Sequence, residues 1–275
     1  MQIGIFAKSF PGTDPATVLR ASAEAGYDGV QYNMACSGHE PMPEAISDEA
    51  ASAVASAAKA TGLQVYAVSG TYNMVHPDLA VRQEGHRRLE VLAASCRFLG
   101  TGLVTLCTGT LDPHDQWRAH PGNGSPDAWR DLLQAFETAI GIAERHDILL
   151  GVEPELANIV SSASQAARLI AELQSPRIRI VLDPANLFEV ASLEAQRRLI
   201  SEAVNLLGDR LSMAHAKDRL ASGDFAAAGK GVVDFPHFFR VLKTAGFDGP
   251  VVTHGLSAAE APGVAAFLRK TLEAV

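Results

Sequence analysis

The chain has 275 residues, and its hydrophobic content of 47% is ample for a buried core. A formal net charge of −8 argues against a nucleic-acid partner, which ordinarily needs a basic face. Three cysteines (Cys36, Cys96 and Cys107) are too few, and odd in number, for a disulfide framework and fit a reducing cytosol.

The opening MQIGIFAKSF enters a strand directly and lacks the basic segment and apolar core of a signal peptide. No stretch approaches ~18 uninterrupted apolar residues, so a cytoplasmic protein with no membrane partner is expected. Ile3–Phe6 is the first strand, and Pro15–Ala25 has helical period. Gly29–Tyr32 is followed by a helix over Ser47–Thr61, Gln64–Val68 by one over Asp78–Leu99, and Leu103–Cys107 by one over Pro126–His146. Leu149–Glu153 precedes a helix over Ser162–Leu173, Arg179–Asp183 one over Leu193–Leu207, and Leu211–His215 one over Phe235–Ala245. Pro250–Thr253 is the eighth strand, before a last helix over Ala258–Glu273.

The strands are short and continuously hydrophobic, as parallel strands buried on both faces should be. Asp14-Pro15 and Ser125-Pro126 read as N-caps followed by proline in the first turn. EAGYDGV, KATGLQV and KTAGFDGPV each place a glycine just past a helix, the expected left-handed stop. Eight strand–helix alternations without a composition break predict one domain, residues 1–275, folded as an α/β protein with a single (β/α)8 TIM barrel. The rival, an open doubly wound sheet, would usually carry a glycine-rich turn after its first strand, and AKSFPGTDP is not one. The longest irregular stretch, Thr108–Ser125, follows a strand's carboxyl end and is expected to be a lid or substrate loop.

Four apolar runs in the second half each end in a residue able to bind a metal: GVEPE at Glu153, IVLDPAN at Asp183, MAHAKD at His215 and VVTHG at His254. Roughly one strand–helix unit separates neighbours, which is how a barrel converges side chains on one point. Carboxylate oxygens mixed with imidazole suit Mn2+ first, with Mg2+, Co2+ or Zn2+ as alternatives. Taken singly, each residue also reads as a helix cap or an ion-pair partner. Glu155 shares parity with Glu153, and Lys217 with His215, so both pairs can point inward.

These motifs, together with EAGYDGVQ and GKGVVDFPHFFRVLKTAGFDGPV, resemble the xylose isomerase-like TIM-barrel superfamily, the sugar phosphate isomerase/epimerase group, over nearly the whole chain. The resemblance implies a divalent metal held by Glu153, Asp183 and His215. A fourth ligand, a second glutamate in that group, falls on His254. It further implies a small-molecule sugar as partner and Glu153 as one of two groups that move a proton. His254 stands in for the other, since imidazole can serve as acid or base.

Other residues are candidates for contacting substrate. His76 follows the third strand and could reach substrate, or bond loop backbone instead. Thr108, with Gly109 and Thr110, ends the fourth strand. Trp117 offers a stacking face or a loop anchor, and His120 and Asn123 lie in the same loop. Asn158 and Asn186 follow two carboxylate strand ends, where they can orient them. Lys217 can stabilise a developing enolate or pair with Asp218. The turn Gly229–Gly231 around Lys230 can receive an anion or be plain solvated turn, and Cys107 is expected to be core.

The first expectation is a divalent-metal-dependent sugar isomerase/epimerase acting on a keto sugar or polyol through an enediolate, with Glu153, His254 and Lys217 catalytic. The alternative is a metal-dependent dehydratase or lyase on a sugar, inositol or keto sugar, because a lone histidine base suits one-way elimination. An endonuclease IV-like phosphodiesterase with extra ligands such as His39, and a sugar-binding barrel with a decayed site, are the remaining readings. A homo-oligomer is unsurprising for such a barrel, although no interface is marked.

Overall fold

The structure is a computed structural model and describes residues 1–275. Nine strands and eight α-helices run in the order β1 (Gln2–Phe6), α1 (Pro15–Glu24), β2 (Gly29–Tyr32), α2 (Asp48–Thr61), β3 (Gln64–Ser69), α3 (Leu79–Leu99), β4 (Leu103–Cys107) and α4 (Pro126–His146). They continue with β5 (Leu149–Glu153), α5 (Ala163–Leu173), β6 (Ile178–Leu182), α6 (Leu193–Leu207), β7 (Leu211–Arg219), β8 (Phe225–Ala227), α7 (Phe235–Thr244), β9 (Pro250–Thr253) and α8 (Ala261–Glu273). Strands β1 to β7 and β9 pair in parallel, and β9 pairs with both β7 and β1, so the sheet closes into a (β/α)8 barrel. No helix is long and apolar enough to cross a membrane.

Local chemistry sets most boundaries. Asp14, Ser47, Asp78, Ser125, Ser162, Ser192 and Asp234 cap seven of the helices by accepting from an N–H in the first turn. Gly62 closes α2 at φ +73°, where a side chain would be strained.

Alternation along the strands divides the apolar residues into two sets. Outward residues such as Ile3, Ile5, Val30, Val104, Leu150 and Ile180 join the large core beneath the helices. Ala67, Leu103, Val181, Met213 and Val252 form a separate cluster that fills the barrel's lower interior, with Tyr66 and Leu149 packed against it. Tyr66 lies over Gly4 and Gly29: a Cβ on either would come within 2.8 or 2.5 Å of its ring. The inward position one pleat above Gly151 is Glu153, above Val181 is Asp183, above Met213 is His215, and above Val252 is His254.

Most expected boundaries hold to within a residue, the last helix begins at Ala261 rather than Ala258, and one strand changes more. The seventh strand runs four residues past His215, to Arg219, and pairs antiparallel with β8. The extension is held by Asp218, which is buried and accepts from the backbone N–H groups of Arg219, Gly229, Gly231 and Val233. The strand thus continues through the charged run Lys217–Arg219 because those charges have buried partners. Asp218 and the Gly229–Gly231 turn serve each other, which leaves Lys217 free for a different partner.

Candidate active site

Glu153, Asp183, His215 and His254 meet at the carboxyl end of the barrel, and one ligand atom from each lies within 4.8 Å of those from the others. His215 Nδ1 is 3.0 Å from Glu153 Oε1, and its Nε2 is 2.8 Å from Gln31 Oε1. Gln31 is oriented in turn by donating to Thr105 Oγ1 at 3.0 Å. Asn186 Nδ2 donates to Glu153 Oε1 at 3.0 Å. Asp183 Oδ1 accepts from Ala185 N–H, while its Oδ2 faces Lys217 Nζ and His254 Nε2, each at 3.3 Å. Lys217 therefore pairs with Asp183, not with Asp218. The two imidazoles are tilted against each other, with ring centroids 4.5 Å apart.

Burial works against charge throughout this cluster, yet neighbours overturn it at four positions. Burial would raise the Glu153 carboxyl, but the His215 charge and hydrogen bond, with Lys217, hold it low. The same contest at Asp183 is won by Lys217 and His254, far below the usual carboxylate range. Burial would depress His215 and Lys217, but Glu153 raises the first and Asp183 the second. His254 goes the other way: burial and the nearby His215 charge lower it. Glu155 is pushed up to about 8 by burial and by the Glu153 charge.

This donor set fits a divalent cation. Two carboxylates held ionised and two imidazoles supply four converging oxygen and nitrogen atoms. Gln31 takes one nitrogen of His215, so the other is presented to the cluster, the arrangement that usually orients a metal-binding histidine. Lys217 would share Asp183 with the ion.

Two chambers open above the cluster. The inner, about 320 Å3, is lined by Gln31, Thr105, Cys107, Glu153 and His215 among others. The outer, about 550 Å3, is lined by Leu156, Glu189, Lys217, Arg219 and Phe225 among others. Trp117, Glu155 and His254 border both.

The remaining sequence candidates separate clearly. Glu155 and Trp117 line the chambers, and Asn186 touches Glu153. His76 does not reach the cluster: its Nε2 binds Pro113 O and its Nδ1 accepts from Asp78 N–H, tying two loops together. Thr108 is fully buried, its hydroxyl accepting from Val160 N–H. His120 accepts from Gly122 N–H and caps a short turn. Asn123 and Asn158 hold the same loop through Thr110, Leu111, Ala157 and Gly109. These side chains are spent on backbone.

Sequence reasoning missed Gln31, Thr105, Arg219 and Phe225 as site residues. A glutamine inside the apolar strand GVQY was a usable signal for the first. Cys107 is buried as expected, but its thiol also joins Glu153 and Glu155 within 4.8 Å.

Several solved structures share this architecture. The 3-keto-D-glucoside 4-epimerase of E. coli superposes with a TM-score of 0.77 at 20% identity, covering 98% of this chain and 99% of its own. D-psicose 3-epimerase of Clostridium cellulolyticum gives 0.75 at 16% identity, with 99% of each chain covered. The probable 3-DHS dehydratase of Bacillus anthracis gives 0.76 at 11%, again with 99% of each. At these identities the likeness is one of fold. No curated protein matches in sequence. The family model described as xylose isomerase-like TIM barrel matches residues 19–271, and the chain belongs to that family.

Proposed function

We propose that the chain is a divalent-metal-dependent isomerase or epimerase of a keto sugar or polyol. The observation that carries this reading is the convergence of Glu153, Asp183, His215 and His254, one ligand from each of four successive barrel units, on one point beside a chamber. When bound, a divalent ion, Mn2+ first, supplies Lewis acidity to adjacent carbonyl and hydroxyl oxygens. Glu153, ionised and held by Asn186 and His215, is the base that removes the proton from carbon. His254, its pKa lowered by burial, is the uncharged partner that receives or returns a proton on another wall of the inner chamber. Lys217 points an ammonium toward the cluster and stabilises negative charge that develops on substrate oxygen.

Dehydration is the second reading, favoured by one observation. The fourth position is a histidine, and it shares Asp183 with a buried ammonium. A carboxylate base on one side and the Lys217 ammonium on the other, able to give the proton with which hydroxide leaves as water, suit elimination better than a symmetric proton swap.

The test is metal analysis of the purified protein followed by incubation with keto sugars in D2O. Deuterium at the carbon next to the carbonyl, without loss of water, supports isomerisation. A stable dehydrated product selects the second reading. Full exchange after chelation overturns both.

A further inference from the structure

The outer chamber is larger than the inner one, and apart from His254 and Lys217 on its border the proposed chemistry uses none of its lining. It joins the inner chamber at His254 and Glu155, the reactive end. A substrate ring in the inner chamber would therefore extend any substituent near its reacting carbon into the outer one.

The lining of that chamber is selective. Among the exposed large hydrophobic side chains of this protein the two aromatic ones, Trp117 at 51% and Phe225 at 49%, both border it, with Leu156 beside them. Phe225 is pinned despite its exposure: Lys217 Nζ lies 3.9 Å and the Arg219 guanidinium 4.0 Å from its ring centroid. Its strand, β8, pairs with the β7 extension. A platform fixed before binding lowers the ordering cost of stacking on it.

Charge in the chamber argues against an anion. Glu189 offsets part of the charge of Lys217 and Arg219 there, and Glu155, pushed up to about 8, stands beside them as a hydrogen-bonding carboxyl rather than an anion. Lys217 is already engaged with Asp183, and Arg219, only 6% exposed, donates to Ala185 O and Gly223 O. Neither cation of the outer chamber is left free for a phosphate, whereas carboxyl groups beside an aromatic face suit hydroxyl groups on a flat ring.

From this we infer that the outer chamber is a subsite for the glycosidic substituent of a neutral glycoside, a second sugar ring or an aryl group, stacked at Phe225 and Trp117. The inference rests on the reading that the inner chamber takes a sugar. It makes the substrate a glycoside rather than a free or phosphorylated monosaccharide.

Calorimetric titration of the full-length, Mn2+-loaded protein with unreactive ligands tests it: glucose, cellobiose, phenyl glucoside and glucose 6-phosphate. Cellobiose or phenyl glucoside should bind about tenfold or more tightly than glucose, and whichever wins tells a sugar from an aryl substituent. Phe225→Ala, and separately Leu156→Trp, which fills the chamber from an exposed loop, should each erase that ratio, with circular dichroism confirming the fold. Equal affinities, no measurable glycoside binding, a ratio that survives both variants, or preference for glucose 6-phosphate would each overturn the proposal. Because these ligands do not react, the reaction is scored separately. Glycoside selectivity without deuterium exchange strikes the isomerase reading alone. Exchange on free keto sugars without selectivity strikes the subsite alone.

Discussion

The barrel interior holds two layers built from the same strands, one pleat apart, and they obey opposite rules. The lower layer is apolar and close-packed, with Tyr66 seated on Gly4 and Gly29 and ringed by Leu103, Val181, Met213 and Val252. The upper layer is Glu153, Asp183, His215 and Lys217, buried charges that burial alone would neutralise, with the uncharged His254 among them. Below, shape decides what is tolerated. Above, each charged group persists only because another faces it. A substitution in one layer should therefore damage a different property from its neighbour two residues along the strand.

The largest effect is expected above. Glu153→Gln keeps the side chain's size and its contact with Asn186 but removes the proposed base and one of the proposed metal ligands. Turnover should fall at least ~1000-fold, about 4 kcal/mol in barrier, while the melting temperature of the chelated protein stays within a few degrees. Metal content and steady-state rates check the first, and scanning calorimetry the second. Loss of fold with the activity would mean the layers are not separable.

Below, Gly29→Ala should do the reverse. Its Cβ would sit 2.5 Å from both the Tyr66 ring and Gln64 O, and neither the ring nor the backbone oxygen has room to give. The expected cost is about 3 kcal/mol, read as a lower urea midpoint. Metal affinity per folded molecule should be unchanged.

Gln31 sharpens the comparison, because it sits in the upper layer yet carries no charge. Its Oε1 fixes His215 Nε2, so Gln31→Leu should free the ring to turn and cost 10- to 100-fold in metal affinity, near the usual range for such orienting partners. Glu153→Gln would remain the more severe variant. An unaltered affinity would show that Glu153 alone sets the imidazole.

How much of this was legible in the sequence follows from the same two-residue period. Residues at strand ends could be read, because a strand's parity and the run of apolar residues before Glu153 or His254 already say which way the side chain points. Glycine stops, N-caps and the eightfold alternation were legible for the same reason: each is a local rule. What escaped depends on partners distant in sequence. Gln31 acts through His215, 184 positions away, and no local pattern announces that pair. Thr108 looked like a sugar contact until the loop after β5 claimed its hydroxyl. The continuation of the seventh strand past His215 was not legible because the backbone N–H groups that bury Asp218 come from residues up to fifteen positions on. The resemblance to the family pointed to the four candidate ligands, with a histidine at the fourth position.

The smallest effect tests a region outside both layers. Asp234 caps α7 by accepting from His237 N–H and pairs with Arg197 Nε at 2.6 Å. Burial pushes its carboxyl up, but Arg197 and the His237 N–H outweigh this and hold it below its ordinary value. A carboxyl lowered by folding contributes stability that is complete above the unfolded pKa, near 4, and lost as pH falls through the folded value. Asp234→Ala should thus cost about 1 kcal/mol at neutral pH, most of it from the lost cap because Arg197 is half exposed. The gap to the parent protein should close in acid, which urea titrations at neutral and low pH would record. Asp234→Asn keeps a capping oxygen but not the ion pair and should fall between them. Metal affinity and turnover should not move in either variant, since the helix cap touches neither the apolar floor nor the charged mouth. If they did move, the separation of stability from chemistry inside this barrel would have to extend to its rim.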